Sequence, residues 1–282
     1  MRKIMSFNNL GLDEFLLSSL REDIGTGDVT ATCCVPEDAK SKGFFKAKQP
    51  GIICGLDILR RVFELLDPTI TVTPKMCDGD RVSAGNIIAE ISGKSRSILT
   101  GERTALNIMQ HMSGVATRTA EAVNAVAGTN AKIVDTRKTM PGFRVLDKYA
   151  VRTGGGSNHR FNLSDGVLIK DNHIAAAGGI TNAVNLAKNN CPQTLKIEVE
   201  TENLEMVKEA LSAGADIIML DNMTPEAMAE AVKFINGRAL TEASGNMGER
   251  DLKTIADTGV DFISIGAITH SVKALDISLK FD

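Results

Sequence analysis

The sequence has no tryptophan and a single tyrosine, Tyr149, among its 282 residues. A nucleic-acid platform built on stacked aromatic rings is therefore not expected. Cysteine is sparse and unpatterned. Cys33, Cys34, Cys54, Cys77 and Cys191 are odd in number and form no C-x-x-C pair, which argues against a disulfide framework or a structural zinc site. Reduced thiols of this kind suit a cytoplasmic protein. The net charge is only −3, so nothing global draws the chain to nucleic acid or to an anionic membrane, and any cationic site has to be assembled locally. No run approaches the ~18 apolar residues of a membrane span. The opening MRKIMSFNNLGLDEFLL has two cations but no continuous apolar stretch, and does not read as a signal peptide.

What is present is a globular composition, 43% hydrophobic and 24% charged, with a clear change of pattern along the chain. Apolar spacing predicts a helix over 12–23. The turn-rich IGTGDVTATCCVPEDAK follows, and then the short strand-like runs KGFFKAKQ, GIICG, TITVTP and NIIAEISG. Residues 97–127 predict a helix, a break at Ser113-Gly114 and a second helix. Beyond them, six short apolar runs (131–135, 166–170, 195–200, 216–220, 238–243 and 261–266) alternate with amphipathic segments. Alternation of this kind means βαβ units and parallel pairing. It fits a doubly wound sheet or a barrel, and SAGADIIMLDN and ADTGVDFISIGAIT tilt the reading to a barrel. The expected domains are 1–112 and 113–282.

Polar residues gather where these runs end, which is where barrel enzymes build their sites. The first run leads into Thr136, Arg137 and Lys138, and the second into Lys170. The third ends at Glu200, the fourth at Asp221 and the fifth at Ser244, Gly245 and Asn246. The sixth ends at Gly266. His159 and Arg160 follow the glycine run of VRTGGGSNHRF. Arg137, Lys138, His159, Arg160 and Lys170 form a cationic set, with Arg103, Arg144 and Arg152 as further candidates. Such a set repels itself unless an anion joins it, and arginine grips carboxylate or phosphate with two parallel hydrogen bonds. Glu200 and Asp221 suit a hydrated Mg²⁺, hydroxyl groups, or positive charge developing in a transition state. Gly245 and Gly266 leave amides open for a phosphate beside helix starts.

The blocks EDIGTGDVT, GERTALNIMQHMSGVAT, DTRKTMPGFRVLDKYAVRTGGGSNHRFNLSDGVLIKDNH, IEVE, MLDN, EASGN and SIGAITHS together resemble the quinolinate phosphoribosyltransferase family over about residues 21–271. The resemblance implies an α/β protein with an N-terminal α/β sandwich domain and a C-terminal incomplete, seven-stranded α/β barrel. It implies transfer of phosphoribosyl from phosphoribosyl pyrophosphate to quinolinate, giving nicotinate mononucleotide, pyrophosphate and CO₂ with Mg²⁺. It also implies a homodimer, in some members a hexamer, in which one subunit completes its neighbour's site.

Residue by residue, the resemblance implies quinolinate carboxylate binding by Arg137, His159 and Arg160, next to Thr136. Lys138 and Lys170 match cations facing the substrates and pyrophosphate, and Glu200 and Asp221 match acids near the ribose hydroxyls and the metal, which they would hold directly or through water. Ser244, Gly245 and Gly266 match the 5′-phosphate site, where Asn246 replaces a second glycine, and Arg103 matches the arginine that reaches into the partner's site. Two rival readings stay open: an aldolase-type barrel with a Schiff base on Lys170 or Lys138, and a related transferase acting on another acceptor. The intact Arg137, His159, Arg160 set favours a dicarboxylate acceptor.

Overall fold

A computed structural model describes residues 11–282, and the first ten residues of the opening segment lie outside it. Two compact units emerge: the chain up to Thr117 together with Lys273–Asp282, and Arg118–Val272.

In the first unit, the predicted first helix is α1 (Leu12–Ile24). The stretch read as turns contains a further short helix, α2 (Val29–Cys34), because Asp28 caps it by accepting from the Ala31 amide at 2.8 Å. There follow β1 (Lys40–Ala47), β2 (Gly51–Ile52), α3 (Leu56–Leu66), β3 (Thr71–Pro74), β4 (Arg81–Val82) and β5 (Ile87–Lys94). Leu56, Leu59 and Phe63 recur at helical spacing on α3 and are buried with Phe45 of β1. The Phe45 and Phe63 rings lie 6.2 Å apart.

Helix α4 (Ser95–Ala125) then runs without interruption from the first unit into the second. The break expected at Ser113-Gly114 does not occur. Mid-helix serine usually competes for backbone hydrogen bonds, but here the fully buried Ser113 hydroxyl is bound to another segment. It accepts from the Cys54 amide at 3.0 Å and donates to the Cys54 carbonyl at 3.1 Å.

The second unit holds β6 (Lys132–Val134), α5 (Arg144–Thr153), β7 (Val167–Ile169), α6 (Asp171–Ala177), α7 (Ile180–Asn190), β8 (Ile197–Thr201) and α8 (Leu204–Ala213). It continues with β9 (Ile217–Asp221), α9 (Pro225–Ile235), β10 (Leu240–Ser244), α10 (Leu252–Ala256), β11 (Phe262–Ser264) and α11 (Ala267–His270). All six predicted strands are present, in one parallel sheet of order β6-β11-β10-β9-β8-β7. Side chains of Asn203, Thr224 and Asp251 cap the helices that follow β8, β9 and β10.

The seventh strand is reduced to a single parallel bridge between Val134 and Ser157. Its residues follow the glycine run, where the chain must turn off α5 at once. Gly154 caps that helix, Gly155 has φ +91°, and a Cβ on Gly156 would stand 2.8 Å from Thr119 Cγ2. Bare backbone is what lets this segment lie against α4, and it leaves too little extended chain for a full strand.

A sequential boundary at 112/113 also misses one element. The last strand, β12 (Ile277–Phe281), returns to the first unit, whose antiparallel sheet has the order β12-β1-β5-β3. Phe45, paired with Leu279, keeps that edge buried. Ser113→Ala is expected to destabilise the protein by about 1–3 kcal/mol, because it orphans a buried amide and carbonyl. Urea unfolding with an unchanged slope would check this.

Candidate active site

Alternation along each strand of the second unit puts every other residue on one face of the sheet. On that face stand Leu168 and then Lys170 from β7, Glu198 and Glu200 from β8, Met219 and Asp221 from β9, and Glu242 and Ser244 from β10. The register places Glu200, Met219 and Glu242 side by side. The site thus has two layers: a rim at the strand ends, and a floor two residues deeper. A cavity of about 300 Å³ opens above the floor, lined by Thr136, Arg137, Lys138, His159, Arg160 and Lys170, with Met219, Glu242 and Ser244 among its walls.

The structure brings together most of the residues expected from the sequence. Thr136 accepts from the Lys138 amide at 3.0 Å, which tightens the turn carrying Arg137. The Nε of Arg137 is buried and makes no hydrogen bond within the described chain. Arg160 Nη1 donates to the Gly166 carbonyl at 3.2 Å. Burial and the neighbouring Arg137 lower the pKa of Arg160, as expected of two guanidinium groups crowded together. Lys170 Nζ lies 2.5 Å from Glu200 Oε2. That ion pair is not the apolar setting a Schiff-base lysine needs.

Asp221 and Asn222 are tied to the end of β10. Asn222 Nδ2 donates to Asp221 Oδ2 at 2.6 Å, and the Asn222 amide donates to the Ser244 carbonyl at 3.1 Å. The Asn222 side chain fills the space next to Gly245, where a Cβ would come within 2.2 Å of its Oδ1. With φ +93°, Gly245 therefore admits no other residue without rearrangement. Asn246 has φ 49°, so asparagine does take up the left-handed conformation that a second glycine would supply. Only Gly266 stands directly before a helix, the short α11; Gly245 begins a turn several residues ahead of α10. Lys138 lies alongside Gly266, where a Cβ would be 3.0 Å from its Cδ.

Three candidate arginines lie elsewhere. Arg144 bonds back to Thr139 Oγ1 at 3.1 Å and to the Arg137 carbonyl at 3.4 Å, bracing the loop beneath Arg137. Arg152 is exposed near the end of α5, and Arg103 is exposed on α4 in the first unit.

The floor was not foreseen. His159 does line the cavity, but protein groups already engage both of its ring nitrogens. Nε2 lies 3.1 Å from Glu198 Oε2 and 3.5 Å from Glu242 Oε2, and Nδ1 accepts from the Arg160 amide at 2.7 Å. Burial opposes a charged imidazole, but the Glu198 hydrogen bond and the charges of both glutamates outweigh it, and the pKa is raised. A backbone amide cannot accept a proton, so in this geometry Nδ1 keeps its lone pair and the ring proton sits on Nε2. Burial, then the charge of Glu198, pushes the Glu242 carboxyl up to about 7. Among the described residues, His159, Glu198 and Glu242 form a group whose possible metal-ligand atoms lie within 4.8 Å of one another. A shared proton relieves two crowded carboxylates just as a cation would.

Beneath the 157–160 segment, Lys148 and Asp135 form a fully buried ion pair at 2.6 Å. Sequence inspection had a signal for the floor, the IEVE and LTEA runs with an acid inside a strand. It had none for Lys148, which sits mid-helix.

A pH dependence follows from the floor. The unfolded Glu242 carboxyl ionises near 4.5. Between 4.5 and about 7 the folded state therefore holds a proton that the unfolded chain has released, and stability falls as pH rises through that window. Glu242→Gln is expected to flatten the loss of unfolding free energy between pH 5 and pH 8, as measured by urea titrations at both pH values.

Comparison with known proteins gives the family of the chain. Residues 28–113 match the family described as quinolinate phosphoribosyl transferase, N-terminal domain, and residues 115–280 match its C-terminal domain. The Arabidopsis thaliana protein named nicotinate-nucleotide pyrophosphorylase [carboxylating], chloroplastic, is 46% identical, over 94% of this chain and 81% of its own. A Nicotiana tabacum protein named quinolinate phosphoribosyltransferase [decarboxylating] 2b, mitochondrial, is 44% identical, over 96% of this chain and 82% of its own. The solved structure of the nicotinate-nucleotide pyrophosphorylase from Francisella tularensis superposes with a TM-score of 0.90 at 44% identity, covering 96% of this chain and 95% of that one.

Proposed function

The chain belongs to the quinolinate phosphoribosyltransferase family, and on that footing we propose that the cationic cavity of its second unit is where the two substrates meet. The enzyme transfers phosphoribosyl from phosphoribosyl pyrophosphate to quinolinate with decarboxylation, in NAD biosynthesis. The observation that carries the placement is the gathering of Arg137, Lys138, Arg160 and Lys170 around one cavity, with the buried Nε–H of Arg137 unspent.

Quinolinate is a flat dicarboxylate, and the donor carries several phosphate charges. Both suit guanidinium forks and ammonium groups that would otherwise repel one another. Arg137 and Arg160 grip the acceptor carboxylates. His159, already tied to the floor, supplies a shaped wall rather than a free cation. The pyridine nitrogen attacks the anomeric carbon as the bond to pyrophosphate breaks, and Lys138 and Lys170 face the charge that leaves. Glu200 and Asp221 face the ribose, where positive character develops. Once ribosylated, the ring nitrogen is cationic. The adjacent carboxylate then departs as CO₂, leaving its electron pair on a carbon next to that positive nitrogen, where a proton completes nicotinate mononucleotide.

Glu200 and Asp221 fit Mg²⁺ of the kind that arrives with a phosphate ligand. Each keeps one carboxylate oxygen free of the hydrogen bonds to Lys170 and Asn222, and Mg²⁺ is commonly held by one or two carboxylates plus substrate phosphates and water. Bound there, it would neutralise charge on the departing pyrophosphate.

We read Arg103 as acting in the site of a second copy of the chain, in a homodimer, because it is exposed on α4 while every residue lining the cavity belongs to the second unit. The five cysteines, none of which is in a disulfide, support a cytoplasmic setting. No helix among the described residues is long and apolar enough to cross a membrane.

The decisive assay combines quinolinate, phosphoribosyl pyrophosphate and Mg²⁺, follows CO₂ or nicotinate mononucleotide, and uses nicotinate as the control acceptor. Arg137→Ala and Arg160→Ala are each expected to cut turnover by about 100-fold or more with the fold intact. Near-normal turnover in both would overturn the placement of the acceptor. Mixing an Arg103→Ala chain with a Lys138→Ala chain is expected to restore activity, since a hybrid dimer then has one complete site. No recovery, with subunit exchange verified by mass spectrometry, would argue against a shared site.

A further inference from the structure

The ion pair between Lys148, in the middle of α5, and Asp135, just after β6, lies outside the cavity, and the chemistry above leaves it unused. Its wiring is specific. Lys148 Nζ donates to Asp135 Oδ1 at 2.6 Å, to the His159 carbonyl at 3.0 Å and to the Arg160 carbonyl at 3.1 Å, so all three ammonium protons are used. Asp135 Oδ1 also accepts from the His159 amide at 2.8 Å, and Oδ2 accepts from Asn158 Nδ2 at 2.9 Å. The same Asn158 nitrogen reaches back to the Lys148 carbonyl at 2.9 Å. Lys148 is 2% exposed and Asp135 0%.

A buried pair of this kind is weak as a source of stability, because desolvation offsets most of its attraction. Two apolar residues would fill the space at similar cost. What they could not do is clamp two successive carbonyls and an amide of one segment. The segment clamped is the one that presents His159 and Arg160 to the cavity, and neither residue lies in a helix or a strand that would hold it otherwise. The donor side is organised separately, through Asp221, Asn222 and Ser244.

We propose that Asp135 and Lys148 are positioning residues for the acceptor: by clamping the backbone of residues 158–160 they aim Arg160 and the His159 ring, and so set how well the dicarboxylate binds without affecting the phosphoribosyl donor. This rests on the reading of the cavity as the quinolinate site.

The test is steady-state kinetics on Asp135→Leu/Lys148→Met, which removes both charges and leaves none unpaired, with folding checked by circular dichroism and thermal unfolding. The KM for quinolinate is expected to rise about 10-fold or more, while the KM for phosphoribosyl pyrophosphate stays within about twofold. An unchanged quinolinate KM in the folded variant, or an equal rise in both KM values, overturns the inference. If the double variant fails to fold, Asn158→Ala decides by the same ratio, with a rise of about threefold expected in the quinolinate KM alone. Wild-type enzyme is the control. Absence of wild-type turnover with quinolinate would defeat the functional reading itself, whereas wild-type turnover with an unmoved variant ratio would defeat only the positioning role.

Discussion

Four cations crowded around one small cavity repel one another, and the second unit is organised around that repulsion. Burial, and then the field of Arg137, disfavours the charged form of Arg160. The opposing charge lies partly on the rim, where Glu200 meets Lys170, and partly on the floor, where Glu198 and Glu242 lie buried. A cluster of this kind draws anions to the cavity.

The two kinds of ion pair have different work. Lys170–Glu200 is partly exposed, and pairs of that kind contribute little to stability. It is therefore cheap to rearrange when a substrate arrives. Asp135–Lys148 is sealed from solvent and fully hydrogen-bonded, so it cannot exchange partners without leaving a buried charge bare. The partly exposed pair stands at the cavity and the sealed pair lies outside it. A fixed arrangement also holds at the end of β9. There Asn222 locks Asp221 to the end of β10, and Gly245 has no room for a side chain.

His159 shows why residue type alone is an incomplete guide to role. The motif placed it among the carboxylate-binding cations, and the structure does put it at the cavity. Its ring is nevertheless committed on both sides, to an amide through Nδ1 and to two glutamates through Nε2. What it presents to the cavity is a fixed shape, and the free guanidinium charge comes from the arginines next to it.

Much of this protein was legible in the chain itself. The six parallel strands, the helices between them and the rim residues Arg137, Lys138, Lys170, Glu200, Asp221 and Ser244 follow from local apolar runs that end in polar residues. Such runs are local because a strand must leave the core where its apolar stretch stops. Tertiary structure alone decided the rest. Whether Glu198 and Glu242 share the sheet face of the rim residues depends on strand register, and a one-residue slip would send both to the opposite face. The continuity of α4 at Ser113 depends on Cys54, far away in sequence. Lys148 reads as an ordinary helix residue until it meets Asp135, just after β6, and β12 reads as part of the barrel domain until it pairs with β1. Each is a contact between distant segments, and such contacts are chosen by which buried polar groups find partners once the chain has folded.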